Sequence, residues 1–202
     1  MEATYSIRFI SPDQDAASCL KVYEPYVLYT PITFDCKVPE LNEFQSKILD
    51  TIYEYPWLVC LKNDQIEGYA YASRHRYKTA YQWSAESTIY LTESIQSRGI
   101  GYILYETLLS MLTIQGFYNV YAGVTVPNKK SELLHSNLGF EEIGIFKNIG
   151  FKSGAWHDVK WFQKSLQEYI INPALPLKLE ELKHSIDFQT ILSVANNKLM
   201  KT

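Results

Sequence analysis

The sequence predicts a mixed α/β domain in which helices flank one twisted β-sheet, and three observations support this class. Segments with alternating apolar and polar residues, typical of strands, are interleaved with segments whose apolar residues recur about every 3.6 positions, typical of helices. The 202 residues are 47% hydrophobic and 20% charged, which is the composition of a globular chain. The sequence shows no internal repeat or low-complexity tract. A chain of this length can bury one sizeable core or two small ones, and we expect one domain.

The first part of the chain predicts a strand, two helices and a β-hairpin. Residues 6–10 alternate in polarity and lead into Ser11-Pro12-Asp13, where serine is a typical N-cap and proline a typical first helical residue, for a helix running toward Tyr23. Residues 38–55 place apolar side chains at helical spacing, with Pro39 in the first turn. Two further strands, 57–61 and 66–73, flank a polar turn at 62–65 and predict a hairpin.

The middle of the chain continues the alternation of strands and helices. Residues 84–91 predict a strand, and residues 101–115 predict a helix with one strongly apolar side. The chain then returns as a strand over 119–126 and a short helix over 129–137. Two closing strands are expected over 140–147 and 158–163. The sheet should therefore contain six or seven strands.

The pattern of residue types in the sequence changes after Glu168. Asn172-Pro173 and Pro176 interrupt the chain, and apolar residues then recur at helical spacing over 179–199. We therefore divide the chain into a domain over residues 1–168 and a C-terminal extension over 169–202, made of a linker and an amphipathic helix. The apolar side of this helix must be buried on its own domain or on a second subunit, and its own domain is favoured.

Charge and cysteine content exclude several classes of partner and site. The formal net charge of −3 does not favour nucleic acid or an acidic membrane as a partner. Cys19, Cys36 and Cys60 are widely spaced and odd in number, so neither a disulfide framework nor a metal site is expected. A reducing compartment such as the cytoplasm fits this cysteine usage best.

Two segments could be mistaken for membrane or targeting sequences. The first ten residues carry an early acid and no long apolar stretch, so they do not resemble a secretory signal. Residues 107–128 carry no charged side chain and are long enough to cross a bilayer. Gln115-Gly116 and Pro127-Asn128 are turn-forming pairs that interrupt this stretch. Their positions favour a helix that turns into a buried strand.

The most informative motif lies between a predicted strand and a predicted helix. In Gln96-Ser97-Arg98-Gly99-Ile100-Gly101-Tyr102, two glycines let the backbone turn tightly and approach a ligand closely. The free amides at the start of the helix then face outward with the positive end of the helix dipole behind them, which suits a pyrophosphate. A dinucleotide loop would need a third glycine at Leu104, and a P-loop would need Gly-Lys-Ser/Thr, so both fail. A plain loop with a glycine cap remains the alternative.

This motif resembles the acetyl-CoA pyrophosphate loop of the GNAT superfamily of N-acetyltransferases. Further blocks are similar to one branch of that superfamily, the phosphinothricin N-acetyltransferases, in order and spacing, over roughly residues 7–166. They are Tyr55-Pro56-Trp57-Leu58-Val59, Ala80-Tyr81-Gln82-Trp83-Ser84-Ala85-Glu86-Ser87-Thr88-Ile89-Tyr90, Pro127-Asn128, Leu134-His135, Leu138-Gly139-Phe140 and Gly154-Ala155-Trp156-His157-Asp158-Val159. The resemblance implies the GNAT fold, in which the fourth and fifth strands splay apart, and acetyl-CoA as co-substrate.

The resemblance also implies where acetyl-CoA binds. Pantetheine would lie between the splayed strands, with its amides paired to the strand backbone. The Leu91 amide would in addition polarise the thioester carbonyl. The implied cofactor-binding residues are Ile89, Tyr90, Leu91, Gln96, Ser97, Arg98, Gly99, Ile100, Gly101, Tyr102 and Asn128.

Two residues are candidates for catalysis. An ammonium acceptor must lose a proton before it can attack the thioester, so a base is needed. Glu86 matches the carboxylate that serves as base in the family, and a carboxylate among strand residues is expected to be partly desolvated. His135 matches a family histidine near the acetyl group, where it could orient water, relay a proton or assist the departing thiolate. The acid that protonates the sulfur stays open, and Tyr105 is among the possible tyrosines.

The acceptor site is expected to be lined by cations and aromatic rings. Cations bind a carboxylate or phosphinate, and rings shape a small pocket. The expected residues are Phe34, Arg76, Lys78, Tyr81 and Tyr90. Here the sequence departs from the family, because the usual Lys and Arg are exchanged as Arg76 and Lys78 and because His75 replaces an aromatic residue. Arg and Lys differ in geometry, so the reaction type is better defined than the substrate.

These observations favour an enzyme that moves acetyl from acetyl-CoA to the α-amine of a small amino acid or analogue, such as phosphinothricin, methionine sulfone or methionine sulfoximine, by direct attack. The resemblance further suggests a homodimer with its pocket near the subunit contact. Two alternatives stay open: a non-catalytic acetyl-CoA-binding module with a protein partner, and a protein N-terminal acetyltransferase.

Overall fold

A seven-stranded mixed sheet forms the centre of the protein. The computed structural model describes residues 3–201. The strands run in the order β1-β2-β3-β4-β5-β7-β6, and only β4 and β5 are parallel neighbours. Their bounds are β1 Tyr5–Phe9, β2 Trp57–Lys62, β3 Gln65–Arg74, β4 Ser84–Leu91, β5 Asn119–Val126, β6 Glu141–Lys152 and β7 Ala155–Ser165. The predicted mixed α/β class is therefore confirmed.

Helices cover both faces of the sheet. Their bounds are α1 Pro12–Tyr29, α2 Leu41–Ile52, α3 Ile100–Gln115, α4 Lys129–Asn137, α5 Leu179–Leu182 and α6 Ile186–Leu199. Side chains alternate between the faces along each strand, so β2 gives Trp57 and Val59 to the core under α1 and α2, and Leu58 and Cys60 to the core under α3. The side chains that form these two cores are almost completely shielded from solvent. This two-sided burial fixes the register of the strands that frame the site.

Several predicted elements agree closely with the structure. β4, β5 and α4 have the predicted bounds, and α3 begins one residue earlier than predicted. The predicted hairpin at 62–65 forms through Asn63 and Asp64, whose φ values of 48° and 63° are those of a tight two-residue turn. Here local signals and tertiary structure coincide.

Two helix starts differ in their chemistry from the prediction. Ser11 occupies the N-cap position of α1, but its side chain makes no capping bond, and the Ser11 amide donates instead to the Asp15 carboxylate at 2.7 Å. α2 starts at Leu41 rather than near Val38, because Glu40 and Glu43 form a reciprocal capping box. Pro39 therefore precedes this helix instead of opening it.

The structure differs from the prediction in the length of three elements and in the number of helices near the C-terminus. α1 continues past Tyr23 to Tyr29 with Pro25 inside it, because Val22, Tyr23 and Val27 are buried against the sheet. β6 and β7 extend over 141–152 and 155–165, well beyond the predicted closing strands. The predicted helix over 179–199 is two helices, because Ser185 caps a new start by accepting the Phe188 amide.

The C-terminal helix packs on its own chain. Phe188, Ala195 and Leu199 are buried in the core that contains α3. The Asn196 amide bonds both backbone groups of Ile7, at 2.7 Å and 3.1 Å, and so covers the free edge of β1. The preference for packing on its own domain is thus confirmed, while the boundary after Glu168 stays a prediction; Met1, Glu2 and Thr202 lie outside the described residues.

The uncharged stretch over 107–128 is divided between the end of α3 and the whole of β5. Within residues 3–201, no helix is long and apolar enough to span a bilayer.

Candidate functional site

The two parallel strands separate soon after they begin to pair. β4 and β5 are neighbours only from Ser84 opposite Asn119 to Glu86 opposite Tyr121. Beyond that point β4 stays paired with β3, and β5 stays paired with β7. The facing edges therefore diverge, and an extended ligand that contains amides can pair with them. The predicted splay is confirmed.

A cavity of about 380 Å³ lies at this opening. Its volume is within the range of small-molecule sites. β4, β5, α4 and the loop before α2 supply most of its lining, and β6 and β7 close one side. Six of the predicted site residues line it together: Phe34, Glu86, Ile89, Tyr90, Asn128 and His135.

A chain of hydrogen bonds joins α3 and α4 beneath the cavity. His135 Nδ1 lies 2.7 Å from the Ser131 carbonyl, which can only accept, so Nδ1 carries the proton. Nε2 then accepts from the Tyr105 hydroxyl at 3.1 Å, and Ser87 Oγ lies 2.6 Å from that hydroxyl. Burial lowers the pKa of His135 and raises that of Tyr105. Both side chains are therefore neutral at physiological pH, and the chain can pass a proton.

Glu86 lies at the point where the strands separate. Its side chain is 36% exposed, so it is less desolvated than a buried carboxylate would be. Its oxygen Oε2 lies 3.4 Å from His75 Nδ1. The position is suitable for a base because the carboxylate reaches the cavity without being enclosed by it.

A second, smaller cavity of about 130 Å³ adjoins the first and shares Phe146 and Trp161 with it. His75, Arg76 and Tyr121 also line it. Of the three residues predicted to bind the acceptor through the connection before β4, Arg76 alone lines a cavity. Lys78 and Tyr81 lie on the exposed turn that follows and line neither cavity.

The loop predicted to hold a pyrophosphate has the expected backbone geometry. Ser97 and Gly99 have φ values of 59° and 79°, and α3 begins directly afterward at Ile100 with no side-chain cap and no acid in its first turn. The amides of this turn lack intrahelical acceptors and lie at the positive end of the helix dipole. Arg98 lies in the loop itself, and Gly101 and Tyr102 lie in the first turn of α3. Such a helix start can hold a phosphate group.

The side chain of Gln96 fastens the loop instead of pointing away from the protein. Its Nε2 donates to the Leu91 carbonyl at 3.0 Å and to the Tyr26 hydroxyl at 3.1 Å, and its Oε1 accepts from Lys130 at 3.0 Å. Tyr26 also donates to the Leu91 carbonyl and lies 3.4 Å from the Leu91 amide. A thioester carbonyl would therefore compete with the Tyr26 hydroxyl for this amide.

The loop that carries Phe34 is held in place at several points. Lys152 donates to the Thr33 carbonyl at 2.8 Å, and Tyr23 donates to Asp35 at 2.6 Å. Phe34 packs closely on Gly150 of β6, where any side chain would collide with the ring. These contacts fix Phe34 as one wall of the cavity.

Contacts between separate elements carry no signal in the sequence. Ser87 and Tyr105 join His135 only through the fold, and Tyr26 of α1 reaches Leu91 of β4. Trp161 lines both cavities, and its buried indole nitrogen has no hydrogen-bond partner among the described residues. An unpaired buried donor is uncommon and suggests a ligand partner. Within residues 3–201, no group of three or more His, Cys, Asp or Glu side chains could hold a metal ion.

Comparisons with known proteins point to one family. The family model for the acetyltransferase (GNAT) domain matches residues 7–161. The phosphinothricin N-acetyltransferase of Streptomyces coelicolor is 34% identical over 158 residues, which cover 76% of this chain and 92% of that relative. The L-methionine sulfoximine/L-methionine sulfone acetyltransferase of Salmonella typhimurium is 28% identical over 165 residues, covering 81% of this chain and 96% of that relative.

A solved structure gives the same result for the fold. The GNAT superfamily phosphinothricin acetyltransferase of Sinorhizobium meliloti, crystallised in complex with acetyl-CoA, superimposes with a TM-score of 0.79 at 33% identity. The match covers 85% of this chain and 94% of that structure.

Proposed function

This chain belongs to the GNAT acetyltransferase family and uses acetyl-CoA as its co-substrate, and on that premise we propose that it acetylates the α-amine of a small amino acid or amino-acid analogue. The specific acceptors that we propose are phosphinothricin, methionine sulfone and methionine sulfoximine, because related enzymes are named for them. The observation that carries the proposal is the small second cavity, whose lining residue His75 contacts Glu86.

This second cavity has the features that a small anionic acceptor needs. Arg76 supplies a cation for a carboxylate or phosphinate, and aromatic rings supply apolar walls. The unpaired indole N–H of Trp161 can donate to an acceptor oxygen. A polyamine would place further positive charge near Arg76, so it fits less well. Lys78 and Tyr81 stay proposed acceptor contacts on the nearby turn.

Acetyl-CoA would enter along the splay. Pantetheine would lie beside Ile89, Tyr90 and Leu91, and the loop from Gln96 to Tyr102 would hold the pyrophosphate through its amides. Asn128, which caps α4 by accepting the Ser131 amide and also lines the cavity, would contact the cofactor's arm. Gln96 would act by bracing the loop.

Glu86 would act as the base. It removes a proton from the acceptor ammonium, directly or through one water, and the free amine attacks the thioester carbonyl carbon. A carbon–nitrogen bond forms and a tetrahedral oxyanion results. The nitrogen then gives up its second proton, and collapse of the intermediate breaks the carbon–sulfur bond and releases the coenzyme A thiolate, which takes up a proton; the products are the amide and the thiol. The Leu91 amide would stabilise the oxyanion if it exchanges Tyr26 for the substrate oxygen.

His135 would act at the thiolate end of the cavity. It lines that cavity together with Tyr105 and Ser87, and hydrogen bonds join the three side chains. A neutral imidazole that accepts from Tyr105 can take up a proton passed from Ser87 through the Tyr105 hydroxyl to Nε2, and the reverse transfer can then return a proton toward the sulfur.

The proposal is tested by thiol release with a panel of acceptors. We expect coenzyme A release with phosphinothricin, methionine sulfone and methionine sulfoximine, and none with their N-acetylated forms, since these lack a free amine. Release with spermidine should be much slower. Release only with peptides that have a free N-terminus would contradict the proposed acceptor class, and binding without release on any acceptor would contradict the reaction.

We further propose that the protein is a homodimer with its pocket near the subunit contact. β6 forms one edge of the sheet and exposes large apolar side chains beside the cavities, including Ile143, Phe146, Ile149 and Phe151. Light scattering on the full-length chain should give twice the mass of one chain. A mass of one chain across the micromolar range would contradict the shared pocket.

A further inference from the structure

His75 lies in a nearly closed aromatic site next to Glu86. Its ring stacks on Tyr121 with centroids 4.4 Å apart and planes 14° apart. Trp161 and Tyr81 meet it edge-on, with centroids at 6.0 Å and 6.4 Å. The side chain is 12% exposed. The ring is therefore held on one face and at its edges, and it has little freedom to rotate.

The one hydrogen-bonding contact of this imidazole among the described residues is with Glu86. Nδ1 lies 3.4 Å from Oε2, and β3 and β4 place Ser73, two residues before His75, opposite Glu86. A carboxylate only accepts, so Nδ1 donates. The distance is longer than that of a well-formed bond, as is common for catalytic contacts before substrate binds.

We propose that His75 is a positioning residue that holds the Glu86 carboxylate in the orientation required to deprotonate the acceptor amine. By donating Nδ1–H to Oε2, the imidazole leaves the other carboxylate oxygen available for the proton. The inference rests on the proposed role of Glu86. At this position the chain differs from the family it resembles, because His75 replaces an aromatic residue. An aromatic ring without a hydrogen-bond donor would keep the stacking on Tyr121 but lose the contact with Glu86.

A double-mutant cycle tests the inference. His75→Phe keeps the stacked ring and removes the donor, and we expect kcat to fall about 10-fold with the KM for acetyl-CoA unchanged. His75→Asn restores a donor and should recover a large part of kcat. In a Glu86→Gln background, His75→Phe should change kcat by less than about 2-fold, because the group it acts through is gone. His184→Phe, at an exposed position between α5 and α6, serves as the control with unchanged kinetics.

The outcomes separate this inference from the proposed function. If His75→Phe lowers kcat by the same factor in the wild-type and in the Glu86→Gln background, the role of His75 is merely structural and the inference is overturned. Full activity of His75→Phe would also overturn it while leaving Glu86 as base if Glu86→Gln is inactive. Full activity of Glu86→Gln would overturn both.

Discussion

Replacing Glu86 by glutamine is expected to lower kcat for acetyl transfer by about 100-fold or more, because general-base catalysis contributes roughly that much. Glutamine has nearly the same shape and can still accept from His75, but it cannot take a proton at neutral pH. Affinity for acetyl-CoA should stay unchanged, since the splayed strands and the glycine loop are intact. Steady-state kinetics and calorimetry with acetyl-CoA measure the two effects separately.

Glu106→Gln is the matched control. Glu106 has nearly the same side-chain exposure, 37% against 36%, but it lies on α3 and pairs with Lys198 of the C-terminal helix. Losing an exposed ion pair should cost well under about 1 kcal/mol and leave kcat unchanged. Equal kcat for wild type and Glu86→Gln would remove Glu86 from the mechanism, and a loss of acetyl-CoA binding would assign it to the cofactor site instead.

Replacing Gly99 by valine is expected to weaken binding of acetyl-CoA by about 10-fold or more. Gly99 has a φ of 79°, where a β-branched residue is strained by about 1–2 kcal/mol. The strain is relieved if the loop changes conformation, which turns the amides before α3 away from the pyrophosphate. The fold itself should persist, because a side chain on Gly99 would meet no atom within 4 Å.

Gly154→Val provides the control for strain alone. Gly154 has a φ of 80° and equally open surroundings, but it lies at the tip of the β6–β7 hairpin and lines neither cavity. Both variants should lose similar free energy of unfolding in urea, whereas only Gly99→Val should bind acetyl-CoA more weakly. If both variants bind acetyl-CoA as the wild type does, the loop does not hold the pyrophosphate.

The sequence predicts those parts of the fold in which local pattern and tertiary packing agree. β4 and β5 were predicted with correct bounds because their apolar residues form short runs between clear breaks, and α4 because Asn128 caps it. α1 is predicted only as far as Tyr23, yet it continues through Pro25 to Tyr29, since the buried side chains on either side of this proline hold the helix on the sheet. β6 was underestimated because an exposed edge strand with bulges lacks regular alternation.

The candidate site divides in a similar way. Glu86 and the glycine loop are visible in the sequence because each is part of a continuous motif. The contacts of His75 with Glu86, of Tyr105 with His135 and of Tyr26 with Leu91 join residues on separate elements. No spacing rule predicts such contacts, since they depend on the register of the sheet and on how the helices cross it.

A crystal structure with acetyl-CoA and methionine sulfone tests the central proposal most directly. We expect pantetheine between β4 and β5, the diphosphate on the amides that precede α3, and the acceptor amine within hydrogen-bonding reach of Glu86, directly or through one water. Acetyl-CoA bound outside the splay, or an amine on the far side of the thioester from Glu86, would contradict the account.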